Sequence, residues 1–146
     1  IGPGELKTIL QAQFAEDAKH ELTVFVTSFS YRHGLPREAD LVFDARFLRN
    51  PHYESELREL SGRDEAVGAY VKADEAYDPF FDNLTQMLKP LMPRFEAEGK
   101  SYLTIAVGCT GGRHRSVFVA EQLAKWFDKA GLQAQLNHRD LMRDLE

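Results

Sequence analysis

Ser101-Tyr-Leu-Thr-Ile-Ala-Val-Gly-Cys-Thr-Gly-Gly-Arg-His-Arg-Ser116 is the stretch that decides how this chain folds. Ser101 to Val107 is a short apolar run rich in β-branched residues, the pattern of a buried strand. Beyond Ser116, Val117, Ala120, Leu123, Ala124 and Phe127 recur at helical spacing, so Val117 to Lys129 is expected to be an amphipathic helix. The junction between them holds glycines, a thiol, two hydroxyls, two arginines and a histidine. Glycine lets the backbone turn sharply and lets a ligand approach peptide N–H groups. The helix that follows directs its unpaired N–H groups and partial positive charge at the same place. Strand, glycine-rich loop and helix together make an anion site, and phosphate suits it best. Its candidate contacts are Cys109, Thr110, Gly111, Gly112, Arg113, His114, Arg115 and Ser116. The loop is not a Walker-type P-loop, which needs a lysine followed by Ser or Thr after its second glycine.

Working outward, Leu22 to Phe29 reads as a central strand and Leu41 to Phe43 as a second one. Glu5 to Lys19 has helical spacing, as does Asp64 to Val71. Asp78-Pro79 suggests an N-cap and first turn, opening a long amphipathic helix marked by Phe80, Phe81, Leu84, Leu88, Leu91 and Phe95. Pro90 and Pro93 are expected to kink or divide that helix, and Gly99 to close it. Leu57 to Gly62 reads as loop, the charged run Arg58 to Glu65 as solvated surface, and Ala134 to Leu136 as an edge strand. Strands alternating with helices predict a single-domain α/β layer fold with a mostly parallel central sheet flanked by helices. Ligands of such sheets gather at the carboxyl ends of the strands. Three strand ends open here into polar loops, Ser28 to Leu35, Asp44 to His52 and Gly108 to Ser116, which should converge on one pocket. Asp44, Arg46, Asn50 and His52 would then read the part of the ligand beyond its phosphate. An acid among bases fits a ligand that carries an ammonium or several hydroxyls as well.

At 146 residues the chain is long enough for one proper core, and 43% hydrophobic with 28% charged residues is the composition of an ordinary globular domain. No apolar run approaches the roughly 20 residues needed to cross a bilayer, so no membrane partner is expected. One cysteine precludes an internal disulfide and points to the reducing cytoplasm. A formal charge of −5 argues against a broad nucleic-acid surface. The opening Ile1-Gly-Pro-Gly4, without an initiating Met, reads as a cut end, so the chain is expected to be a fragment. No cofactor or metal is expected beyond the bound phosphate or sugar phosphate, since His114 has no second ligand at zinc-like spacing.

Three motifs in order, Ser28 to Pro36, Asp44 to His52 and Gly108 to Ser116, resemble the C-terminal domain of the RapZ (RNase adapter, YvcJ-like) family. The resemblance covers about Leu22 to His138. Full members carry an N-terminal P-loop domain that this chain lacks. The resemblance implies a sensor of glucosamine-6-phosphate, an amino-sugar phosphate. Asp44, Arg46 and His52 would contact the sugar, while Thr110, Gly111 and Arg115 would hold the phosphate, with Gly112 and Ser116 beside them. It also implies RNA binding, an endoribonuclease or other signalling protein as partner, and self-association into a homo-oligomer. RNA-binding members end in a lysine-rich tail, whereas residues 137–146 here are net −1 with His138 neutral. That departure weakens the RNA expectation.

A rival reading comes from the same loop. Cys109 to Ser116 spells Cys, five residues, Arg, Ser, which resembles the phosphate loop of cysteine-dependent phosphatases, where a thiolate near a helix N-terminus attacks phosphorus. The residue before the cysteine is Gly108, not the one usual there, and no general-acid loop is evident. The plain alternative for Cys109 is a buried small hydrophobe. Tyr31, Arg32 and His33 read as an exposed loop, either lid or interface. A third class is a protein adapter with no ligand at all.

Overall fold

The computed structural model describes residues 22–143, so the helix expected over Glu5 to Lys19 lies outside the described residues. Four strands form one sheet: β1 (Thr23–Ser30), β2 (Leu41–Asp44), β3 (Tyr102–Cys109) and β4 (Ala134–His138). Their order is β2-β3-β1-β4, and every neighbouring pair is parallel. The α/β class and the parallel sheet are therefore as expected, with β4 two residues longer than the predicted edge strand. Parallel neighbours cannot be joined by a tight hairpin. Accordingly α1 (Glu65–Lys72) and α2 (Tyr77–Ala97) carry the chain from β2 to β3, and α3 (Arg115–Lys129) carries it from β3 to β4.

The core forms where Val24, Val26, Leu103, Ile105 and Val107 of the two central strands meet Val119, Leu123 and Phe127 of α3. Leu88 of α2 and Val67 and Val71 of α1 complete it. Burial of a side chain of this size contributes roughly 1.5–3 kcal/mol each, which is why α3 needs no strong cap to stay docked.

Helix α2 departs from expectation twice. It starts at Tyr77, behind Ala76, and Asp78 lies in its first turn without capping it. Asp74 does the work at this entry instead. Its Oδ1 accepts from the Ala76 N–H at 2.9 Å, and its Oδ2 accepts from the Arg49 N–H at 2.8 Å. Asp78 still gains from the positive end of the helix. Pro90 and Pro93 do not divide the helix, which runs unbroken for 21 residues. Both prolines, and the residues four before them, Gln86 and Lys89, are exposed. Water can therefore take the carbonyls that proline leaves unpaired.

Candidate functional site

Register places the ends of all four strands on one side of the sheet: Ser30 pairs with Cys109, Asp44 with Gly108, and Ser28 with His138. The polar loops that follow are thereby brought to a common edge. There they enclose a cavity of about 480 Å³.

The 108–116 loop forms its floor. Gly112 has φ +67°, and a side chain there would press on Ser30, whose amide and Cβ lie 2.9 Å from where a Cβ would stand. Glycine is required at this crossing. Ser30 fixes the loop further, donating from Oγ to the Thr110 carbonyl at 2.7 Å and accepting from the Arg32 N–H at 3.2 Å. Its own N–H is held by Asp140 Oδ2 at 2.7 Å. Cys109, Thr110, Gly111, Arg113, His114 and Arg115 all line the cavity. Gly112 and Ser116 do not; Ser116 lies behind, its Oγ accepting from the Cys109 thiol at 3.0 Å.

Arg115 opens α3 and is only 5% exposed. Its Nη1 donates to the carbonyls of Arg46 at 2.6 Å and Leu48 at 3.0 Å, and its Nη2 to Thr110 Oγ1 at 3.4 Å. Its Nε–H has no partner. Among the described residues no carboxylate comes within ion-pair distance of it. A buried guanidinium hydrogen-bonded only to neutral oxygens is compensated only at longer range, here by the Asp44 carboxylate, whose pKa Arg115 helps to lower.

Arg113 and His114 line the cavity and also tie it to the 58–60 backbone. The Arg113 guanidinium donates to the Glu59 carbonyl and, at 2.9 Å, to that of Leu60. His114 is 6% exposed and bonds through Nε2 to the Arg58 carbonyl at 3.2 Å. A carbonyl only accepts, so Nε2 carries the proton. Burial lowers the His114 pKa, against the opposing pull of the Arg58 carbonyl. Among the described residues no group of three or more His, Cys, Asp or Glu could hold a metal ion.

The 44–52 segment supplies a wall through Asn50 and His52. Asn50 Oδ1 accepts from the His52 N–H at 3.1 Å and so caps the 3-10 turn Pro51–Tyr53. Asp44 and Arg46 do not line the cavity. They hold one another through both carboxylate oxygens, at 2.7–3.0 Å, and the Arg46 guanidinium lies 3.9 Å from the centre of the Tyr31 ring. The Arg46 hydrogen bond holds the Asp44 carboxyl below the usual carboxylate range. Both side chains are nearly half exposed, so this pair adds little stability; what it fixes is orientation at the site's edge.

Several lining residues were not legible as such. Leu141 enters from beyond β4, while Arg32 comes from the Ser28 to Leu35 loop, which is expected at the pocket. The Arg58–Glu59 stretch, read from sequence as solvated surface, is solvated on one side and forms a cavity wall on the other. Tyr53, 78% exposed, stands at the rim.

One pH effect follows from the buried imidazoles. His138 bonds to Ser28 Oγ at 2.6 Å and to Glu121 at 3.2 Å, and burial lowers its pKa as it does for His114. Each imidazole thus binds a proton more weakly in the folded chain than in the unfolded one. Stability is then full above about pH 6.5 and falls as the pH drops below it, by at most about 1.4 kcal/mol per pH unit per histidine. Thermal melts between pH 7.5 and 5 should show that decline, and it should shrink in His138→Asn. A melting temperature flat over that range would contradict it.

Comparison with known proteins gives a consistent picture. A family model described as RapZ C-terminal domain matches residues 22–142. A nucleotide-binding protein of Paramagnetospirillum magneticum is 63% identical over 139 residues, 95% of this chain and 45% of that protein. One from Rhodospirillum rubrum is 58% identical over 141 residues, covering 97% and 44%. One from Rhodospirillum centenum is 54% identical over 139 residues, covering 95% and 42%. The chain therefore spans less than half the length of these relatives.

Proposed function

The chain belongs to the RapZ C-terminal domain family, and from that premise we propose that it is a sensor domain whose cavity takes glucosamine-6-phosphate. The observation that carries this reading is Arg115, a buried guanidinium on the cavity wall that has no carboxylate within ion-pair distance among the described residues and whose Nε–H has no partner. A phosphomonoester brought against the loop amides and Arg115 would accept from the unpartnered Nε–H and form the close ion pair that Arg115 lacks. His52, Asn50 and the Asp44–Arg46 pair at the edge would then meet the sugar hydroxyls and ammonium. RNA or an endoribonuclease would be the downstream partner. Arg139 and Arg143 are both engaged by Asp140, which supports small-molecule sensing over phosphate-backbone contact in this part of the chain.

The second reading, a cysteine-dependent phosphatase, draws on Cys109 ending β3, Arg115 opening α3, and the thiol–Ser116 hydrogen bond. Against it, Arg115 is drawn toward the carbonyls of Arg46 and Leu48, and the thiol is 2% exposed.

Isothermal titration with glucosamine-6-phosphate, glucose-6-phosphate, inorganic phosphate and ATP tests the proposal, with phosphate release assayed in the same samples. The expected result is tightest binding of glucosamine-6-phosphate and no turnover. Release of phosphate that is lost in Cys109→Ser favours the enzyme. Binding of ATP alone favours the activity named in the relatives, and no binding at all leaves a pure protein adapter.

A further inference from the structure

Two parts of the cavity must hold a fixed relation for a sugar phosphate to bridge them: the 108–116 loop and the Pro51–Tyr53 turn. Arg58 lies between the two. Its carbonyl accepts from His114 Nε2 at 3.2 Å, so the phosphate loop grips its backbone. Its own Nε donates to the His52 carbonyl at 2.8 Å, so its side chain grips the turn. The neighbouring residues are tied down as well, since Arg113 donates to the carbonyls of Glu59 and Leu60, and the Gly62 N–H donates to the Arg113 carbonyl at 2.9 Å. The backbone around Arg58 is thus fixed to the floor of the site while its guanidinium reaches across. His52 and Arg58 both line the cavity.

We infer that Arg58 is a positioning residue that sets the sugar-reading turn against the phosphate loop, and so governs affinity for the sugar part of the ligand. This rests on the sugar-phosphate reading above. Inorganic phosphate needs the loop alone and is indifferent to where His52 stands. A hexose phosphate needs both, and misplacing one half of a two-part site weakens only ligands that touch both halves. Because Arg58 is exposed, its removal leaves the core intact.

The test is calorimetric titration of the whole chain with glucosamine-6-phosphate and with inorganic phosphate, in wild type, Arg58→Ala, Arg58→Gln and Arg58→Lys. Arg58→Ala should weaken the sugar phosphate by about tenfold or more, the scale of one charge-assisted hydrogen bond. Inorganic phosphate should change by less than about threefold, the loss of one solvated charge near the site. Lysine can still donate to the His52 carbonyl and should recover most of the affinity. Glutamine, neutral but still a donor, separates hydrogen bond from charge and serves if the alanine variant folds poorly. Equal weakening of both ligands, or no weakening of either, overturns the role given to Arg58 while leaving the sensor reading standing. A wild type that binds inorganic phosphate but no sugar phosphate overturns the sensor reading, and Arg58's role with it.

Discussion

Arg115→Ala should abolish measurable binding of any phosphomonoester, glucosamine-6-phosphate and inorganic phosphate alike. Removing one partner of a desolvated charge pair costs about 2–5 kcal/mol of affinity, or some 30- to several-thousand-fold. The same change leaves the carbonyls of Arg46 and Leu48 without their donor. Each such loss costs about 1–3 kcal/mol where water cannot replace the donor, and relief of the desolvation of a buried charge offsets part of it. The fold should therefore be only moderately destabilised, by about 2 kcal/mol, while binding collapses. Arg115→Lys makes the sharper control. It keeps the charge but cannot span two carbonyls and Thr110 at once, so the phosphate affinity should still fall by about tenfold. Calorimetric titration beside differential scanning calorimetry reads both quantities. A folded alanine variant that binds as wild type does would remove Arg115 from the site.

The second large effect falls on stability. At Gly62 an added Cβ would overlap the carbonyl oxygen of His114 and the amide nitrogen of Phe118, with the Val117 side chain at 2.8 Å. Those first two are backbone atoms at the start of α3, and no rotamer change can clear them. Gly62→Ala must push the 57–62 wall away from the loop and break the Gly62 to Arg113 hydrogen bond. The expected cost is about 3 kcal/mol or more, at the upper end of overpacking. In a chain of this size that lowers the melting temperature by roughly 6–12 °C. Ligand affinity should fall as well, since the wall carries Arg58. A melting temperature within about 2 °C of wild type would show that the wall has room to move.

What the sequence reveals and what it withholds divide along physical lines. The strands and α3 were legible because their signals are local: β-branched and aromatic residues crowded into Leu22 to Phe29, helical spacing from Val117 to Phe127. The convergence of the polar loops followed from the parallel sheet. Lost to the sequence was anything that depends on which partner a polar group chooses. Asp78 and Asp74 are equally good capping residues on paper; only the approach of the Arg49 backbone selects Asp74. Arg113 and Arg115 look equivalent two residues apart and both line the cavity, yet one ties down the Glu59–Leu60 backbone and the other the carbonyls of Arg46 and Leu48. Asp44 and Arg46 read as separate side chains in the sequence, and their mutual pairing at the rim is not legible there. Arg58 carries no local pattern at all, because its meaning lies in His114, far along the chain, gripping its carbonyl while its own guanidinium reaches the His52 carbonyl.

Asp140 is 1% exposed, with burial pushing its pKa up and the bonds from Arg139 and the Ser30 N–H bringing it below the ordinary carboxylate value. It holds Ser30, and Ser30 in turn holds Thr110. The segment after β4 is thus the keystone of an arch whose other stones are the tips of β1 and β3. Pulling on that segment would loosen the cavity floor, and a load on the floor would be felt along that segment.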